Sequence, residues 1–521
     1  MNRSPAGFTE KCCCIAAMLI LPNVFDSPKA SAAGGVLKLV TLSGEPPVAT
    51  AARLELRSDK GRKPALRRTI RSGPGVVLDR EIELALNPGA YRFRVVRGPE
   101  YRVVSGNFEV QVGAADERRI DLVRMVDMQA EGYLAGDMAW AGPVDKDLTL
   151  RMSAEDLHVA AVLRNDGGSS RVASRTGPDA GPEPVGPIWT SQRFDQDSNW
   201  LYYPEATSDP TEAIGAPATG AAAATVSEEA PPRAVIANPF AWELPLWLAN
   251  RRVDGILTMG DWLQEDKQID VIPEGRPPAE LGFTGNDGPG RYAESIYWRL
   301  LEAGFRIPPL AGSGASVKDA AIGYNRTYAI GPTRGQDDRR VAPIESERDY
   351  YQAVWGGRTM LTNGPLLRPT LGGQAPGHVF QARSGETLTM SVELHLAVRD
   401  PVDYLEVIHN GEAVHSVRLD EFAKAGGMIP ELTFRESGWV MVRVVTQHAD
   451  HFRAAISAPW HIEFDNVPRI SRGGVEFFTR WLTDSENEWK KLPAEQLGPL
   501  IQPVRSARQF WRRRLEMANA E

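Results

Sequence analysis

Apolar and polar residues alternate in short runs at both ends of the chain, while the middle carries longer apolar runs and helical periodicity. From Leu37 to about Met128, stretches such as Tyr91-Arg92-Phe93-Arg94-Val95 and Phe108-Glu109-Val110-Gln111-Val112 place apolar side chains at every second position. On a pleated strand that spacing collects them on one face, and Asn87-Pro88-Gly89 supplies a turn between two such runs. The pattern predicts a small β-sandwich over residues 33–128. After Gly377 the alternation returns in Leu388-Thr389-Met390-Ser391-Val392-Glu393-Leu394. The Asn410-Gly411 step inside Val407–Val414 predicts a hairpin, and the region 371–466 is expected to form a second sandwich.

Between them, residues 129–370 read differently. Val159 to Leu163 and Val253 to Met259 are continuous apolar runs of strand length, and Ala293 to Ala303 has the spacing of an amphipathic helix. Strands alternating with helices favour a parallel-sheet or barrel layout. An insert of about 165–232 interrupts this region; its second half, Glu205 to Pro232, is rich in Ala, Thr, Pro and Glu and is expected to be largely disordered. The last part, 467–521, is predicted to be a helical tail. Phe477, Phe478, Trp481 and Leu482 share one face there, and Arg505, Arg508, Arg512, Arg513 and Arg514 mark a basic final helix around Trp511.

Composition adds limits. With 521 residues, 42% hydrophobic, the chain can bury several cores. Its net charge of -8 is spread over both signs, which gives no footprint for a phosphate backbone and sets nucleic acid aside as a partner. Residues 1–32 read as an export signal: Arg3 and Lys11 precede the apolar run Cys12 to Leu21, and Ala30-Ser31-Ala32 offers small residues for cleavage. That run is too short to span a bilayer, so no integral membrane span is expected after cleavage, and the expected location is secreted or periplasmic. Cys12, Cys13 and Cys14 are the chain's three cysteines, so the processed chain would carry no thiol for a disulfide, a metal or a nucleophile.

No phosphate loop, dinucleotide fingerprint, Gly-x-Ser-x-Gly elbow or His-Glu-x-x-His helix occurs. Gly312-Ser313-Gly314-Ala315-Ser316 is glycine-rich but lacks the lysine of a nucleotide loop and reads as a turn. The informative stretch is Gly132-Tyr-Leu-Ala-Gly-Asp-Met-Ala-Trp-Ala-Gly-Pro143, followed by Ala154-Glu-Asp-Leu-His-Val-Ala-Ala161. It resembles the opening of the PHP-like CehA/McbA metallohydrolases, whose first strand carries Gly-Asp-Leu-His-x-His. The resemblance extends through Asn238–Pro245, Ile296-Tyr297, Arg306–Pro309, Ala311–Ser313, Gly323–Arg326, Thr362–Leu367, Pro376–His378 and Glu436–Trp439, and includes Arg97–Tyr101 upstream. It covers roughly Leu84 to Phe478.

The resemblance implies a multidomain α/β plus β fold: a distorted PHP-like β/α barrel flanked by N- and C-terminal β-sandwiches, with a helical C-terminal tail. It also implies a metal-bound hydroxide attacking a phosphoester or related bond. This sequence departs at the centre. Ala139 and Ala141 stand where the family has its two histidines, and between Gly132 and Pro369 the one histidine is His158. A methyl group has no lone pair to give a cation, so the metal motif is missing and no cofactor is expected.

The residual pocket candidates are Asp137, Asp156, His158, Asp261 and Asn363. Each has a bland reading beside the functional one. Asp137 and Asp261 could cap loops, Asp156 with Glu155 could open a strand, His158 could be a hydrogen-bonded core imidazole, and Asn363 could belong to the Thr362-Asn-Gly-Pro365 turn. As an alternative, Asp137, His158 and Asp261 could hold a divalent metal such as Mg²⁺, Mn²⁺ or Zn²⁺. His395, His409, His415, His448, His451 and His461 are expected at the surface. The expected function is a catalytically inactive ligand-binding or scaffold protein, its partner an extracellular polysaccharide or a surface protein; the alternative is a phosphoesterase-type hydrolase with a rebuilt carboxylate-rich centre. Trp189, Trp200, Tyr202 and Tyr203 in the insert could stack on sugar rings or anchor the insert to the barrel.

Overall fold

The fold comes from a computed structural model that describes residues 34–163, 189–192, 199–203, 232–265, 274–314, 320–332, 341–424 and 429–521. The expected signal segment, its cysteines, and Glu205 to Pro231 of the insert lie outside the described residues.

The first unit is two sheets facing one core. Gly35–Ser43 pairs antiparallel with Glu81–Leu86 and parallel with Ala115–Leu122, and opposite it Ala52–Ser58 and Gly89–Val96 form the middle of a five-stranded sheet. Alternation drives the assembly: Leu37 and Leu39 from one sheet and Leu54, Leu56 and Val95 from the other point inward and are all buried.

The central unit is a half-barrel made of two sheet segments. One carries, in spatial order, Trp189–Gln192, Val159–Leu163, Tyr133–Trp140, Arg326–Ile330 and Thr359–Thr362. The other carries Trp200–Tyr203, Arg233–Ile236, Gly255–Met259 and Pro309–Ala311. Arg233–Ile236, Gly255–Met259 and Pro309–Ala311 are parallel, and helices Leu244–Asn250 and Gly288–Glu302 lie between them in sequence as crossover connections. The segments meet where Thr327 Oγ1 accepts from Ala311 N at 2.9 Å and donates to Ala311 O at 3.2 Å. Tyr133–Trp140 is buried along its whole length and on both faces, so its residues show no apolar–polar alternation and its one charged side chain, Asp137, is buried with the rest.

Two stretches of the expected insert are strands of this unit. Trp189–Gln192 pairs parallel to Val159–Leu163, and Trp200–Tyr203 pairs antiparallel to Arg233–Ile236. Trp200 and Tyr203 are buried: the Trp200 ring meets Trp247 edge-on at 5.2 Å, and Tyr203 Oη donates to Met138 O at 2.5 Å. Of the two readings for these aromatics, anchoring to the sheet is the one that Trp200 and Tyr203 take.

No break separates the central sheet from the next β region. Thr359–Thr362 pairs with Arg453–Ser457, and through it the sheet continues into Gly438–Thr446, Val402–His409 and Glu412–Val417, with Trp460–Phe464 branching from Gly438–Thr446 and pairing with Val379–Ala382, for eleven strands in all among the described residues. The Asn410-Gly411 hairpin forms as its sequence predicts, with both residues at positive φ, 52° and 83°. The helical tail is present. Arg472–Trp489, capped by Ser471 Oγ accepting from Gly474 N, and Ile501–Glu516 pack together and onto Leu244–Asn250. Trp511 sits in that junction, stacked on Phe478 at 5.2 Å and donating Nε1–H to Pro245 O. No helix among the described residues is long and apolar enough to cross a membrane.

Candidate functional site

In an α/β sheet the chemistry sits at the C-terminal ends of parallel strands, here the residues following Trp140, Ile236, Met259 and Ala311. Those ends are tied together by backbone. Gly314 N donates to Ala139 O at 2.8 Å and Ala141 N to Gly314 O at 2.9 Å, so the end of Tyr133–Trp140 is paired with the Gly312-Ser313-Gly314 segment. A Cβ added to Gly312 would fall 2.5 Å from the Ala139 Cβ. The position that carries a histidine in the resembled family is therefore a tight packing contact.

Asp137 serves the same closure. Its Oδ1 accepts from Ala139 N and Ser313 N, each at 3.0 Å, and its Oδ2 accepts from Gly323 N at 2.8 Å. Burial lifts its pKa to about 6, even though these donors favour the charged form. A carboxylate with three backbone donors on its two oxygens is a loop tie, the capping role the sequence allowed. Asn325 ties the neighbouring loops: its Nδ2 reaches Gly260 O, Leu263 O and Gly312 O.

The other candidates go elsewhere. Asp156, held at φ 53°, accepts from Arg97 at 2.8 Å and Arg124 at 3.0 Å. Burial pushes its carboxyl up, but the two guanidinium groups outweigh burial and hold it below the ordinary value. Arg97 is close to the first sandwich, where its Nη1 also reaches Ala51 O, so Asp156 pins the two units together. Glu155 does likewise through Arg53 Nε at 2.5 Å, and Arg53 further binds Glu55 at 2.7 Å and Glu265 at 2.6 Å. His158 is buried, its backbone N–H on Ala135 O, with Nδ1 unpartnered; burial lowers its pKa and Asp156 opposes that. Asp261 is buried and its carbonyl accepts from Gln264 Nε2. Asn363 bridges to Phe452 O and Ala454 N, each at 2.9 Å, and so joins two neighbouring strands. Among the described residues no three His, Cys, Asp or Glu side chains are grouped as a metal site requires, so Asp137, His158 and Asp261 are not brought together as ligands.

A second cluster escaped the sequence reading. Tyr324 Oη lies 2.7 Å from His451 Nε2, and the His448 ring packs on His451 with centroids 4.5 Å apart. Arg453 pairs with Asp400 at 2.9 Å, while Arg399 donates to Gly98 O at 3.0 Å and Tyr101 O at 3.4 Å. Tyr324, Arg399, Asp400 and Glu265 are partly exposed; His451 and Arg453 are buried. Burial, His448 and Arg453 together push the His451 imidazole down to about 3, so it is neutral across the physiological range. His451 is thus not a surface imidazole, and neither is His461, which burial and Arg306 push down to about 4. The cluster joins residues from the first sandwich, the half-barrel and the later strands. Its members lie far apart in the chain, and the one local signal was the His448-Ala-Asp-His451 spacing.

No family model matches the chain, and no curated protein matches it. Among solved structures, a streptococcal ancillary pilin is similar to part of it, at 16% identity over 22% of this chain and 37% of the pilin chain, with a TM-score of 0.16. A score of that size carries no argument about fold or function.

Proposed function

We propose that this chain is an exported protein built on a degenerate PHP-like β/α barrel of the CehA/McbA kind, catalytically inactive, which binds a ligand or acts as a scaffold. The observation that supports this most is the packing of Ala139 against Gly312, together with the saturation of Asp137 by backbone N–H groups. Where the resembled family places imidazoles and an open coordination sphere, this chain places methyl groups and inter-loop hydrogen bonds. The charged seams that join the units favour a rigid platform over a moving catalytic one, since each buried arginine is held by several acceptors. An extracellular polysaccharide or a surface protein is the partner class in this reading.

The test is a screen of phosphomonoester and phosphodiester hydrolysis with added Mn²⁺ and Zn²⁺, run beside binding of the chain to insoluble polysaccharides. Background-level hydrolysis with saturable binding supports the reading. Metal-dependent turnover that disappears in Asp137→Ala contradicts it and establishes a rebuilt hydrolytic centre.

A further inference from the structure

The arginines at the junction of the three regions are not equally compensated. Arg53 has Glu55, Glu155 and Glu265; Arg97 and Arg124 share Asp156; Arg453 has Asp400. Arg399 has backbone carbonyls alone: Nη1 reaches Gly98 O and Tyr101 O, and no carboxylate among the described residues lies within ion-pair distance of it. Its Nε and Nη2 edge makes no hydrogen bond to the described residues, and the side chain is partly open to solvent. That edge is the planar two-donor fork that matches a carboxylate or phosphate oxygen pair. Arg453 is paired with Asp400, the next residue along the chain from Arg399, and the Tyr324 hydroxyl, joined to His451 two residues before Arg453, becomes a free donor when the neutral His451 carries its proton on Nε2.

We propose that this cluster binds an oxyanion group, a carboxylate or a phosphate, with Arg399 as the bidentate anchor and Tyr324 and Arg453 as flanking contacts. The charged groups facing Arg399 are Arg453 and Arg326 on one side of the balance and Asp400 and Glu265 on the other. Both carboxylates are already committed, Asp400 to Arg453 and Glu265 to Arg53. In keeping with this, burial and Arg453 lower the Arg399 pKa to about 10, the behaviour of a guanidinium short of negative charge. An anion at the fork would supply that charge where water is partly excluded. The proposal rests on the ligand-binding reading above and gives the ligand its chemistry.

The experiment is calorimetric titration of the full chain with inorganic phosphate and, separately, with glucuronate, at constant ionic strength held with sodium chloride. Binding of either anion is expected. Arg399→Lys keeps the charge but loses the fork, and should weaken binding by about tenfold or more. Tyr324→Phe should weaken it by a smaller factor. Circular dichroism and thermal melting establish that each variant is folded; where Arg399→Lys melts early, Tyr324→Phe carries the comparison. Binding of phosphate alone points to a free ion or phosphoryl group, and binding of glucuronate points to an acidic sugar. Failure of both anions to bind, or affinity unchanged in both variants, overturns the site. Metal-dependent hydrolysis by the same preparation would instead overturn the non-catalytic reading, so the two claims fail separately.

Discussion

The methyl group of Ala139 rests against the backbone of Gly312, with no space between them for even a methyl group on Gly312. The ends of Tyr133–Trp140 and Pro309–Ala311 are joined at that contact by the pairing of Ala139 and Ala141 with Gly314. Ala139→His should therefore act as an overpacking mutation. A loss of about 1–3 kcal/mol is expected, read as a lower midpoint in urea, with no retained Zn²⁺. Undiminished stability together with a stoichiometric metal would show that the strand ends part easily.

Asp137 and His451 should respond to pH in opposite senses. The folded pKa of Asp137 is raised to about 6 from an ordinary 3.8, so its contribution to stability is full below about pH 4 and fades as pH rises through 6. The folded pKa of His451 is depressed to about 3 from 6.5, so its contribution is full above about pH 6.5 and is lost as pH falls toward 3. Stability measured against pH should gain a shallower acid limb in His451→Gln than in the parent chain. An unchanged limb would place the His451 ring in water.

Asp137→Asn tests the loop tie directly. The amide keeps one acceptor oxygen for two of the N–H donors but turns an NH₂ group toward a third. A cost of about 1–3 kcal/mol is expected, the penalty for leaving a buried N–H unsatisfied. Hydrogen exchange at Gly323 should speed up in the variant; the same protection as in the parent would mean that the loop holds without this bond.

Arg53→Met removes the cation shared by Glu55, Glu155 and Glu265 and leaves three carboxylates facing one another with little solvent. Breaking a buried pair in this way costs about 3–5 kcal/mol. Because Arg53 lies in the first sandwich and Glu155 and Glu265 in the half-barrel, denaturation should split into two transitions. A single transition at the parent midpoint would make the seam energetically idle.

Much of the fold was legible in the residues. Alternation gave the first sandwich because its sheets bury one face each, and Asn410-Gly411 gave the hairpin because few other pairs tolerate two positive φ values. The run Val159 to Leu163 is a strand with the expected bounds, since a strand buried on both faces reads as continuous apolar sequence. What local pattern could not show was pairing at long range. Trp200–Tyr203 became a strand because Arg233–Ile236 offered an edge, and Thr359–Thr362 passes the sheet on to Arg453–Ser457 across some ninety residues of chain. Of the candidate site, the capping role allowed for Asp137 is the one its hydrogen bonds to Ala139, Ser313 and Gly323 take. The Arg399, Tyr324 and His451 cluster was not legible as a unit, because its members belong to segments far apart in the chain and only the His448-Ala-Asp-His451 spacing hinted at it.

The central claim is that the strand ends are closed by packing rather than arranged around a cation. Elemental analysis of the purified chain after dialysis against trace Zn²⁺ and Mn²⁺ tests it most directly, with Asp137→Ala measured alongside. Substoichiometric metal in both, and the same melting temperature with and without added metal, are expected. One or more equivalents of tightly held metal in the parent chain, lost in Asp137→Ala, would contradict it.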